Sequence, residues 1–189
     1  MKTCKNTILA VAGLVAFCAI ARLLPHPPNY TPVAAAALFA GAVIPGRWAA
    51  LCVPLFGLAL SDLFIGGYDY RAMVCVYAAL AFPVFLRTWL QGRWPAARVL
   101  GCAALSSLSF FLVSNFAVWA FGSMFARTAA GLIECYAVAL PFFQFTLMGD
   151  LCWSGMLFGG YAILANAAGW NGLHADRHQA VPAVQWQAT

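Results

Sequence analysis

Apolar residues fall into long runs separated by brief polar or proline-rich breaks, and the pattern predicts six helices. They run over 7–24, 32–45, 48–65, 71–90, 97–121 and 139–167. A bilayer core about 30 Å thick takes roughly 20 helical residues per crossing, so most of these runs are long enough to span. The second, alanine-rich run is short for a crossing and could instead be re-entrant. Between the fifth and sixth runs, residues 122–138 are expected to form an outer loop, with Pro141 marking the break, and 169–189 a polar tail.

Breaks between the runs carry their own chemistry. Arg22-Leu23-Leu24-Pro25-His26-Pro27-Pro28-Asn29-Tyr30-Thr31-Pro32 holds four prolines, which lack donors and push the preceding residues toward extended backbone, so a stiff shaped loop is expected. Thr31 is expected to cap the second helix with Pro32 at its first position. The first run ends near Ala19-Ile20-Ala21, which satisfies the small-x-small pattern of a cleavage site. It continues through Leu23-Leu24, and the helix is expected to be retained.

Composition agrees with this pattern. Of 189 residues, 64% are hydrophobic and 8% charged, against about half and a quarter in soluble domains. The expected class is an all-α integral membrane protein, one transmembrane domain over residues 1–189. The net charge of +5 comes from scattered residues at run ends, which argues for topology signals and against nucleic acid as a partner. With the N-terminus inside, the inner segments hold Lys2, Lys5, Arg47, Arg87, Arg93, Arg98 and Arg177, and the outer ones only Arg22, Arg71 and Arg127. Both termini are therefore expected in the cytoplasm of a multi-pass protein of the bacterial inner membrane. No Cys-x-x-Cys, His-Glu-x-x-His or phosphate-binding Gly-rich motif occurs.

That topology gathers polar residues at the outer end: His26, Asn29, Tyr30, Tyr68, Asp69, Arg71 and Asn115 are the candidate binding residues. Asp62 and Asp150 lie within apolar runs, where a charge faces a cavity or a partner, and both read first as structural hydrogen-bonding groups. Cys75 stands one helical turn from Arg71 and from Ala79, between a cation that favours thiolate and a small residue that leaves room. A thiolate suits a soft or borderline metal, and a metal already held in a macrocycle needs only one such ligand. Two plainer readings stay open at this point: a packing cysteine, or a disulfide with Cys135. Most of the other cysteines sit in apolar runs as small hydrophobes.

Four stretches, taken in order, carry a resemblance. They are Arg22 to Pro32, Ser61-Asp62 with Gly66, Ser114 to Trp119, and Pro141-Phe142-Phe143 followed by Gly149-Asp150. From Arg22 to Gly160 the chain resembles the S-components of energy-coupling-factor (ECF) vitamin transporters, and a cysteine near the start of the fourth helix is similar to that of the BtuM-like cobalamin transporters. The resemblance implies an S-component-like fold, a vitamin-sized cavity open to the outside, and cobalamin as substrate, with Cys75 as axial ligand to the corrin cobalt. Loops at His26 to Tyr30, Tyr68 to Arg71 and Arg127 to Cys135 would close over it, and a slow decyanation assisted by Cys75 would accompany binding. It also implies either docking on an ECF transmembrane subunit with two ATPases, through the small residues Ala12 and Ala16, or solitary action among membrane lipid. Rival expectations are an S-component-like carrier of another vitamin, a membrane-embedded enzyme using Asp62, Asp150 or Glu134, and a structural subunit.

Overall fold

The computed structural model describes residues 2–67, 69–90 and 94–167. Among these every regular element is helical: α1 (Lys2–Leu23), α2 (Val33–Val43), α3 (Arg47–Ile65), α4 (Tyr70–Ala81) with a 3-10 continuation (Phe82–Leu90), α5 (Ala96–Phe121) and α6 (Ala129–Ala167). Five stretches are long and apolar enough to cross a bilayer: Lys5–Leu23, Arg47–Ile65, Tyr70–Leu90, Ala96–Phe121 and Ala129–Ala167. The expected 169–189 tail lies outside the described residues.

The short α2 is the axis of the bundle. Its alanines carry almost no side chain, so neighbouring backbones can approach, and Val33, Ala34, Ala36, Ala37 and Ala40 are all buried with Val53, Leu58, Leu80 and Val84 from α3, α4 and the 3-10 segment. At Gly41 the approach is closest: a Cβ there would lie 2.6 Å from the Val84 carbonyl oxygen. Eleven residues rise only about 16 Å, roughly half the hydrocarbon thickness, so α2 fits inside a shell of longer helices. A second cluster joins Leu38 to Leu86, Leu90, Val99, Cys102, Ala103 and Phe158, tying α2 to the 3-10 segment, α5 and α6.

α1 lies at the edge, against α3. The two run parallel, with Gly57 so near Cys18 that a Cβ would come within 2.9 Å of the cysteine's own. Elsewhere α1 is largely exposed, including Ile8, Leu9 and Ile20, as suits a helix facing acyl chains.

Three local expectations are corrected. α6 is continuous from Ala129 through Pro141, so most of the expected 122–138 loop is helix; a proline inside a helix removes one hydrogen bond, and packing against α5 keeps the rest. Thr31 does not cap α2: the cap position is Pro32, without a side-chain bond, and the Pro32 carbonyl receives the Ala36 amide at 2.7 Å. The fourth helix loses α geometry from Phe82 onward, where Pro83 has no amide to give the carbonyl four residues back.

Candidate functional site

Alternation of direction brings the ends of α1 and α3, the start of α4 and the facing halves of α5 and α6 to one end of the bundle, around a cavity of about 610 Å³. Its polar lining comes from Arg22, His26, Asn29, Thr31, Ser114, Asn115, Thr146 and Asp150, and its rings from Phe110, Phe111, Phe142 and Phe143.

Arg22, in the last turn of α1, is set by a clasp. Its Nη1 donates to Asp62 Oδ1 at 2.9 Å and to Ser61 Oγ at 2.6 Å on α3. Tyr77 Oη of α4 donates to the other carboxylate oxygen, Asp62 Oδ2, at 2.8 Å. Ser61 is fully buried and turns its proton to the carbonyl of Gly57 or Leu58, both at 2.9 Å. Three helices are thus joined through one carboxylate, and both ionic partners are mostly shielded.

The proline-rich loop after α1 forms the rim. Tyr30 N donates to the Pro27 carbonyl at 3.0 Å, closing a turn in which Asn29 takes a left-handed φ of 61°. His26 Nδ1 lies 2.6 Å from the Leu24 carbonyl; since a carbonyl only accepts, Nδ1 bears the proton of that bond. The loop is seated on α6 at Gly149, where a Cβ would come within 3.1 Å of Tyr30 Cα, and the Tyr30 ring lies 6.3 Å from that of Trp153. A hydrogen bond with the Cys152 thiol raises the Tyr30 phenol above its ordinary range, with desolvation adding to it. Tyr30 therefore anchors the rim and is absent from the cavity lining.

Deeper in, Asn115 Nδ2 donates to the Phe111 carbonyl at 2.7 Å, and its amide oxygen makes no hydrogen bond among the described residues. Asp150 is 3% exposed and accepts from Ser107 Oγ at 2.6 Å. Phe111 and Phe143 pack with centroids 5.0 Å apart.

Of the expected binding residues, His26, Asn29 and Asn115 line the cavity; Tyr30, Asp69, Arg71 and Cys75 do not. Asp69 caps α4, its Oδ1 accepting from the Arg71 amide at 2.9 Å and the Ala72 amide at 3.3 Å. Arg71 is exposed, its guanidinium over the Phe121 ring at 5.8 Å and the Tyr70 ring at 5.4 Å. Cys75 is a half-buried free thiol outside the lining, to which α4 contributes Val76 and Leu80. Tyr68 lies outside the described residues. Cys135 is also a free thiol, 3.4 Å from the Asn115 carbonyl, so the two cysteines are not bridged. No cluster of three His, Cys, Asp or Glu side chains suited to a metal occurs among the described residues. Arg22, Thr31, Asp150 and the phenylalanines were not among the expected contacts. The signal for two of them was already present as a charge beside or inside an apolar run.

A second concavity, about 660 Å³ and lined by Ile8, Val11, Ala12, Cys52, Phe56 and Leu60 among others, runs between α1 and α3. Its walls are apolar.

Helices long and apolar enough to span a bilayer, packed around a half-length central helix with a polar cavity at one end, define a polytopic helical membrane protein. The chain belongs to DUF6580, a family of unknown function whose model matches residues 2–174. No curated protein and no solved structure matches it.

Proposed function

We propose that the protein is a membrane-embedded receptor for a vitamin-sized molecule, working in the manner of the S-components of ECF transporters. The observation that carries this reading is the cavity: about 610 Å³, of mixed polar and aromatic lining, at one end of an otherwise apolar bundle. That volume falls inside the range of roughly 300–1,000 Å³ typical of small-molecule sites. Arginine and lysine placement supports a bacterial inner-membrane protein with both termini in the cytoplasm, six segments traversing or entering the membrane, and the cavity opening to the periplasm. Exposed Ala12 and Ala16 on α1 suit close docking of an energy-supplying transmembrane subunit with its ATPases.

Cobalamin is the second reading, favoured by the free thiol of Cys75 one residue from cavity-lining Val76. A corrinoid needs space at or beyond the upper end of that range, and a helix turns about 100° per residue. Cobalt coordination by Cys75 therefore requires α4 to rotate and the cavity to widen.

Two measurements separate these readings. Uptake of labelled vitamins into a strain lacking its own cobalamin importer, with and without the ECF module, identifies the cargo. Protein purified from cobalamin-fed cells is expected to be colourless if the cargo is smaller. A red preparation whose corrinoid spectrum changes in Cys75→Ser would establish the second reading, whereas failure of every vitamin to bind or be taken up would sink both.

A further inference from the structure

Charge does not balance in the cavity. Arg22 is already neutralised by Asp62 at 2.9 Å, whereas no basic group among the described residues pairs with Asp150, 3% exposed in the middle of α6. Its Oδ2 takes the Ser107 hydroxyl at 2.6 Å, and that hydroxyl has a single proton to give. Its Oδ1 accepts no hydrogen bond among the described residues, and the residue lines the cavity. An ionised carboxylate at this depth in a bilayer is expensive, and a cation entering the cavity would offset that cost. The surrounding walls offer four phenylalanine rings, two of them packed at 5.0 Å, whose faces attract cations and whose edges stack on flat molecules. Asn115 Oδ1 adds an acceptor to the same space, beside Asn29, Thr31, Ser114 and Thr146, which can donate or accept.

We propose that the cavity selects a flat organic monocation, an aromatic amine, amidine or quaternised heteroaromatic ring, and that Asp150 is its counter-ion. The inference rests on the ligand-binding reading above and names the charge and shape of the cargo. A carboxylate-bearing ligand would have to draw on Arg22 in competition with Asp62, and it would face Asp150 as a like charge.

Three probes of one shape test it on the full-length protein in nanodiscs: benzamidinium, neutral benzamide and anionic benzoate, with affinities read by calorimetry at pH 7. Benzamidinium is expected to bind at least about tenfold more tightly than benzamide, as a buried ion pair requires, and benzoate most weakly. In Asp150→Asn the preference of benzamidinium over benzamide disappears, with an unchanged helical circular-dichroism spectrum showing that the variant is folded. Equal or tighter binding of benzamide or benzoate to the unmodified protein overturns the inference, and so does a cation preference surviving in Asp150→Asn. Should either of those probes bind and be blocked by Asn115→Leu, the cavity stands as a ligand site and only its charge selectivity falls. Should none of the three bind, the inference falls, and the ligand-binding reading is decided separately by the vitamin-uptake measurement.

Discussion

Arg22 does several things at once: it closes α1 onto α3, orders Asp62 for Tyr77, and presents its remaining guanidinium edge to the cavity. Arg22→Ala would strand Asp62 in a site where its side chain is 10% exposed. Loss of one partner from a fully buried pair costs about 3–5 kcal/mol. Partial exposure of the Arg22 side chain reduces this to roughly 2 kcal/mol, to be read as a lower melting temperature in detergent. The Arg22→Ala, Asp62→Ala double variant should recover part of the loss, because no unpaired charge remains. Gly149 is a second pressure point. Its hydrogen faces Tyr30 Cα, and Gly149→Val would lift the proline-rich rim from α6, weakening ligand binding far more than thermal stability. At this scale the sequence announced the charged residues, since Asp62 and Asp150 stand out against their apolar neighbours. Cys75 stands outside the cavity lining: the helical face it shares with Arg71 says which residues align and not which neighbour they face. That direction follows from packing on α5, α3 and α2, which turns Val76 and Leu80 toward the cavity.

Among the elements, α2 has the least tolerance for change. Gly41 meets the backbone of Val84, which cannot swing aside as a side chain would. Gly41→Leu should therefore cost more than the 1–3 kcal/mol typical of overpacking, and even Gly41→Ala should lower the melting temperature measurably. Gly13→Ala, where an added Cβ meets nothing within 4 Å, is the control expected to be neutral. The alanine run made this helix legible in advance, because six alanines and a glycine among its 11 residues leave little other than close backbone packing. The start of α6 was not legible. Pro141 resembles a boundary when only the local chain is considered, yet Tyr136 Oη to the Leu112 carbonyl at 2.7 Å and Cys135 to the Asn115 carbonyl hold the preceding turns as helix against α5. Those partners are more than 20 residues away in one case and 20 in the other, outside any local pattern.

For the molecule as a whole, the apolar runs predicted the helices well, and the cavity emerged only from their assembly. α6, with 39 residues, extends about 58 Å, nearly twice the hydrocarbon thickness. Either the helix tilts strongly or its first turns stand clear of the membrane beside the cavity. Positive-inside placement gives an outcome to measure: single cysteines introduced into a cysteine-free background should be labelled by impermeant maleimide from the periplasm at Asp69→Cys and from the cytoplasm at Arg47→Cys. The reverse pattern would invert the protein and turn the cavity toward the cytoplasm.

The Arg22–Asp62 clasp joins two helices that leave the ribosome at different times. α1 enters the membrane with a guanidinium at its end, and 39 further residues must be made before the carboxylate that neutralises it arrives with α3. Until then an unpaired guanidinium is least costly near the lipid headgroups, so α1 is expected to sit higher in the bilayer before α3 arrives than after. A chain interrupted between the two helices should leave α1 shallow, with Arg22 more open to water-borne reagents than in the finished protein, where its side chain is 18% exposed.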